Sequence, residues 1–258
     1  AGDRIIVNRI DRKVLIEGAV ERRGEYELLQ GENLKTLIEK YAGGLEPLAD
    51  EVAAALSADC QGVCAVASAD AIVREWPAGR GFYVIIAQGR DPGNVGTIIR
   101  TADAMGARAV LTVAGTADVT SPKVVRASAG SVFHLPVIPH PAFGAAVDAL
   151  HARGARVLGT SGGPRAVPLP AVEEEGALAG PHAWALGNEA RGLDADEVAA
   201  CDLLVAIPMT GLAESLNVAS AAAVCLYASQ RARGAGRPDG AVDGRGGARA
   251  GTVVRWHD

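Results

Sequence analysis

FYVIIAQGRDPGNVGTIIRTADAMGARAVLTVA, residues 82–114, decides the fold. Its first eight residues, FYVIIAQG, open on an apolar run without polar alternation. A strand that is apolar at every position is covered on both faces, as the strands of parallel sheets are. GNVGTIIRTADAMG then predicts a helix. On its wheel Val95, Ile98, Ile99, Ala102 and Gly106 share the core face, and Arg100 points away with Thr97 and Ala104. Asn94 lies at the helix start, where it can cap. AVLTVA (109–114) is a second covered strand, so the stretch reads as one strand–helix–strand unit of an α/β fold.

The same alternation runs on toward the C-terminus. SPKVVRASAG (121–130) predicts a short helix, LPVI (135–138) a strand and HPAFGAAVDALHARG (140–154) a helix. ARVLGTS (155–161) and HAWALG (182–187) predict strands, and LDADEVAACD (193–202) a helix. LLVAIP (203–208) predicts a strand and SLNVASAAAVCLYASQRAR (215–233) a long helix. The expected architecture is a parallel sheet with helices on both faces, joined by right-handed crossovers.

Residues 1–50 read differently. IIVNRI (5–10) and KVLIEGAV (13–20) alternate apolar and polar residues, as half-buried strands do. A turn at Glu21–Gly24 leads to another strand, EYELL (25–29). GENLKTLIEKYAGGL (31–45) predicts a helix with Leu34, Leu37, Ile38 and Tyr41 on one face, ended by Gly43-Gly44. This order suggests a small β-grasp-like α+β module. Residues 51–80 read as a linker holding a short helix and a strand, and 232–258 as a flexible Gly/Arg-rich tail.

Composition narrows the function classes. The chain has 258 residues, 49% apolar and 21% charged, which rules out wholesale disorder. No apolar run approaches the roughly 20 residues of a membrane helix. The opening AGDRIIVNRIDRK shows no signal peptide, which together with the longer of the two resemblances given below makes the cytoplasm the expected location. Net charge is −5, so any nucleic-acid site must be a local patch rather than a basic surface. Cys60, Cys64, Cys201 and Cys225 form no C-x-x-C pair and read as free buried thiols. A dinucleotide G-x-G-x-x-G after a strand, a P-loop, a G-x-S-x-G elbow and a metal-ligand histidine pattern are all absent. Hydrolysis through a covalent intermediate and metal chemistry are thereby disfavoured.

Three polar stretches remain, each just after an expected strand, where doubly wound sheets bind ligands. They are QGRDPGNVGTIIRTADAMGA (88–107), ALGNEARGL (185–193) and IPMTGLAESLNVASAAAVCLYAS (207–229). Gly187 allows close backbone approach, and Glu189 places a carboxylate at a strand end. The run Ala219–Ala223 is small-sided, so another backbone can approach it. Singly, each stretch also reads as an ordinary helix start, a dipole-favoured acid or an Ala-rich helix.

In this order and spacing the three resemble the SpoU branch of the SPOUT RNA methyltransferases, over roughly residues 60–231. Asn94 to Arg100 matches that family's N-x-x-x-x-x-R helix, 187–192 its G-N-E-x-x-G loop and 207–218 its I-P-M-x-G-x-x-x-S-L-N-V run. SPKVVRASAGSVFHLPV (121–137) is similar too. The resemblance implies a C-terminal trefoil knot, a homodimer and methyl transfer from S-adenosylmethionine to a ribose 2′-hydroxyl of tRNA or rRNA. It implies a catalytic set of Asn94, Arg100, Glu189, Ser215 and Asn217, with Thr160, Gly187, Ile207, Met209 and Leu216 bordering the cofactor. It requires no metal and no membrane. The family assigns Arg100 the abstraction of the hydroxyl proton. A guanidinium with a pKa above 12 is a poor base. Stabilising a developing alkoxide and gripping a phosphate is at least as physical a role.

Residues 14–50 resemble instead the soluble-ligand-binding β-grasp domain of polysaccharide-export proteins, with Arg23 where that family usually has Pro. Only LSADCQGVCAVA (56–67) is similar to the end of the RNA-binding domain that many SpoU members carry. Two rival readings follow: a knotted RNA-binding protein without catalysis, and a saccharide-binding export accessory. Retention of Asn94, Arg100, Glu189, Ser215 and Asn217 argues against the first.

Overall fold

The computed structural model describes residues 69–188 and 191–235, together with three strands nearer the N-terminus. The chain divides into two compact units, Ala1–Arg74 and Glu75–Asp258. In the first unit, β1 (Ile5–Val7), β2 (Lys13–Ile16) and β3 (Gly24–Glu27) pair antiparallel in that order. The register sets Ile5 opposite Ile16 and Lys13 opposite Glu27. The helix expected over 31–45, the elements expected over 51–67 with Cys60 and Cys64, and residues 236–258 lie outside the described residues.

The second unit carries β4 (Phe82–Ile86), β5 (Val110–Val113), β6 (Val137–His140), β7 (Arg156–Thr160), β8 (Val167–Pro168), β9 (His182–Leu186) and β10 (Leu203–Ala206). Among the described residues they form one seven-stranded sheet ordered β6-β5-β4-β9-β7-β10-β8, and every pairing is parallel. The central β4 and β9 are buried at every position, the reason their sequences show no alternation. The helices are α1 (Pro92–Ala104), α2 (Pro122–Ala127), α3 (Phe143–His151), α4 (Leu169–Glu174), α5 (Ala195–Ala200) and α6 (Val218–Ala235). Tyr83, Ile85, Leu111, Val147, Leu150 and Val157 fill one core between sheet and helices.

Three local expectations change. Asn94 does not cap α1. Asp91 does, its Oδ1 accepting from the Gly93 N–H at 2.8 Å. Pro92 occupies the first helical position, where a missing N–H costs nothing, and this sets the start one turn earlier. Gly106 is exposed rather than core-facing. At φ +80° it lies beyond the helix end in the left-handed region, the usual glycine stop. The strand expected at 135–138 runs from Val137 to His140. The short β8 and α4 were not expected. Pro168 fits a strand at the sheet edge, where its missing N–H breaks no ladder bond.

A buried polar chain ties the start of β9 to α6. His182 lies against the Gly180 carbonyl through Nδ1 at 2.8 Å and against Ser229 Oγ through Nε2 at 2.7 Å, and Trp184 Nε1–H donates to the same Oγ at 2.8 Å. The neutral imidazole satisfies this chain by donating to Gly180 and accepting from Ser229. Burial, chiefly, and then the Arg233 charge outweigh the Gly180 bond and lower the His182 pKa from 6.5 to about 4. Below pH 6.5 the unfolded chain takes up a proton that the fold refuses until about pH 4. Stability is therefore full above pH 6.5 and falls between 6.5 and 4, by about 3 kcal/mol at the limit. Urea unfolding at pH 7 and pH 5 should show this loss, and His182→Gln should flatten that part of the dependence. An unchanged slope in the variant contradicts the assignment.

Candidate active site

Strand order brings two of the three polar stretches, 185–193 and 207–229, together with the end of β7, and no residue of 88–107 lines the cavity they form. Thr160 ends β7, Gly187 follows β9 and Ile207 follows β10, and these three strands are neighbours in the sheet. Their carboxyl ends open into one cavity of about 420 Å³, lined also by Met209, Ser215 and Leu216. A parallel sheet leaves such a crevice where its loops diverge, and this volume is in the range of small-molecule sites. Thr160 Oγ1 donates to the Ala185 carbonyl at 3.0 Å, joining β7 to β9 beside the cavity. Met209 and Leu216 are half exposed toward solvent. Arg191 and Glu214 add one charge of each sign to the lining.

The loop after β9 folds back on itself. Asn188 N–H donates to the Gly192 carbonyl at 3.0 Å, and Gly192 N–H returns to the Asn188 carbonyl at 2.8 Å. That closure leaves no room beside Gly187: a Cβ there would stand 2.2 Å from Gly192 C and 2.3 Å from Leu193 N. Glycine is dictated here by the backbone crossing it.

The loop after β10 runs into α6, which Asn217 caps. Its Oδ1 accepts from the Ala219 and Ser220 N–H groups at 2.9 and 3.3 Å, and its Nδ2 donates to Asn94 Oδ1 at 3.1 Å. The start of α6 is thereby pinned to the first turn of α1. Freed from capping its own helix, the Asn94 side chain serves this contact instead. Arg100, on the same helix, is exposed and is not part of the cavity lining. Glu189 lies outside the described residues. The geometry thus gathers Thr160, Gly187, Ile207, Met209, Ser215 and Leu216 at the cavity and pairs Asn94 with Asn217. Sequence reasoning missed Gln88, Asn188, Arg191 and Glu197, which hydrogen-bond around the same loop.

Neither described cysteine suits nucleophilic work. Burial, the largest cause for each, pushes both the Cys201 and the Cys225 thiol up to about 12, with Asp202 and Glu197 adding to it at Cys201. Thiols in that range stay protonated near neutrality. Among the described residues no group of three or more His, Cys, Asp or Glu is placed to hold a metal ion. Also among them, no helix is long and apolar enough to cross a membrane.

The model of the SpoU rRNA methylase family matches residues 81–227. The chain belongs to that family. Within the SpoU family it is 40% identical over 153 residues to the 23S rRNA (uridine(2479)-2′-O)-methyltransferase of Streptomyces viridochromogenes, covering 57% of this chain and 51% of that protein. It is 44% identical over 140 residues to the 23S rRNA (guanosine(2553)-2′-O)-methyltransferase RlmP of Bacillus subtilis, covering 54% and 53%. The chain spans about half the length of these curated relatives. Among solved structures it is similar to the SpoU methyltransferase AviRb from Streptomyces viridochromogenes in complex with the cofactor AdoMet, with TM-score 0.57 and 36% identity over 62% of this chain and 64% of that one. The α/β parallel-sheet architecture is the one these SpoU structures share.

Proposed function

We propose that this chain binds S-adenosylmethionine in the 420 Å³ cavity and transfers its methyl group to a ribose 2′-hydroxyl of ribosomal RNA. One observation carries the reading: loops from three separate parts of a SpoU-family chain converge on a single cavity at the ends of β9, β7 and β10. Structural and curated relatives named for the cofactor and for rRNA support it.

The residues present fit the group. Ile207, Met209 and Leu216 offer apolar surface to a purine, the Gly187–Gly192 loop offers backbone edges, and Arg191 with Glu214 offers charges to an amino-acid tail. When bound, S-adenosylmethionine supplies an electrophilic methyl on a sulfonium. The chain must then hold the ribose oxygen in line, accommodate the proton it gives up and grip the RNA backbone. Arg100, exposed on α1, is assigned to the developing alkoxide and the adjacent phosphate. Asn94 and Asn217, bonded to each other, fix α1 against α6 beside the cavity. Ser215 and Glu189 orient the sugar.

The trefoil knot, the homodimer and the cytoplasmic setting belong to the same proposal. Interleaving of β7, β9 and β10 in the sheet supports the first. Val224 and Tyr227, exposed on α6, support the second. Sedimentation at micromolar concentration should give twice the chain mass, and a strictly monomeric species would count against the dimer. The whole reading is tested with S-adenosylmethionine tritiated in its methyl group. Label should enter ribosomal RNA as 2′-O-methyl nucleotide. An absence of cofactor binding by calorimetry, or of label in RNA, overturns it.

A further inference from the structure

Gln88 follows β4 at φ +55°, a left-handed conformation that a residue with a long side chain rarely adopts. Such a conformation persists only where its surroundings determine it, and here they do. The Gln88 carbonyl accepts from Asn188 Nδ2 at 3.0 Å, and its Oε1 accepts from Arg191 Nη2 at 2.6 Å. Its Nε2 donates to Glu197 Oε1 at 3.2 Å. Glu197 is itself buried, and its Oε2 accepts from the Asp194 N–H at 2.9 Å in the capping box that starts α5. One amide group therefore joins three pieces of chain: the end of β4, the loop after β9 and the first turn of α5. Two of its partners, Asn188 and Arg191, line the cavity.

We propose that Gln88 is a positioning residue that locks the loop after β9 into its cofactor-receiving shape, holding Asn188 and Arg191 from the end of β4 and anchoring itself on Glu197. The inference rests on the functional reading above for its ligand, though not for its geometry. Both faces of the side-chain amide are needed: the oxygen faces a guanidinium and the nitrogen faces a carboxylate. Only an amide of this length satisfies both without a charge.

Two variants test it, each followed by amide hydrogen exchange and by calorimetry with S-adenosylmethionine. Gln88→Gly relieves the left-handed strain and keeps the carbonyl that Asn188 uses, but deletes both side-chain contacts. The Asn188 and Gly192 amides should exchange about tenfold faster, the size of one or two lost hydrogen bonds. Core amides of β4 and β5 should stay protected, and the dissociation constant for the cofactor should rise by about the same tenfold factor. Gln88→Glu keeps an oxygen for Arg191 but replaces the donor facing Glu197 with a second carboxylate, and two carboxylates that close resist joint ionisation even beside the Arg191 charge. Its cofactor affinity, relative to the unaltered protein at each pH, should be weak at pH 8 and recover toward pH 6 as a shared proton restores the donor. A merely structural contact would not give that recovery. Unaltered exchange at Asn188 and Gly192 in Gln88→Gly, or a pH-independent affinity ratio in Gln88→Glu, overturns the proposal. If the unaltered protein fails to bind the cofactor, the functional reading falls, and the exchange rates alone decide the role of Gln88.

Discussion

Gly187→Ala should weaken the proposed binding of S-adenosylmethionine on the order of 100-fold, and the proposed methyl transfer with it. The added methyl would sit 2.2 Å from Gly192 C, 2.3 Å from Leu193 N and 2.7 Å from Gly192 O. These are backbone atoms, so no side-chain rotation relieves the clash. Relief requires opening the paired Asn188–Gly192 bridge, and with it the wall of the cavity. Overpacking of this kind costs about 1–3 kcal/mol even where neighbours can yield. Here the strain falls on the ligand site, so affinity should drop on the order of 100-fold, the factor that about 3 kcal/mol corresponds to. β9 itself is buried at every position and should keep its place. Calorimetry with S-adenosylmethionine on folded variant checks this, and wild-type affinity would contradict it.

Arg100→Ala should separate the two proposed functions that Gly187→Ala weakens together. Arg100 is exposed on α1 and does not line the cavity, so the variant should bind the cofactor as the unaltered protein does. Methyl transfer should fall by about 10²–10³, the usual consequence of deleting one group that stabilises developing negative charge. Arg100→Lys should recover little, because an ammonium cannot span two oxygens as a guanidinium fork does. Loss of cofactor affinity alongside activity would show that Arg100 supports the cavity rather than the reaction.

The covered strands were legible because burial on both faces leaves few polar residues in the sequence itself, as at Phe82–Ile86 and, past the hydrogen-bonded His182, at Ala183–Leu186. The cavity residues were legible because they sit within a residue or two of those strands or in the motif that follows β10. What stayed hidden depends on contacts between distant positions. Asn94 reads as a cap from its neighbours, and its pairing with Asn217 is invisible until α1 and α6 lie side by side. Gln88 carries no turn signature, since glutamine does not advertise a left-handed backbone as glycine does. β8 and α4, two and six residues long, are too short for any period to register. Helical spacing puts Gly106 on the core face, but the helix ends at Ala104.

The hydroxyl of Ser229 donates to the imidazole of His182 and accepts from the indole N–H of Trp184, and it lies on α6, the last described element. The middle of the sheet therefore keeps two ring nitrogens without partners until that segment docks. During synthesis β9 leaves the ribosome before α6, so the nascent sheet waits with both ring nitrogens unpaired until Ser229 follows.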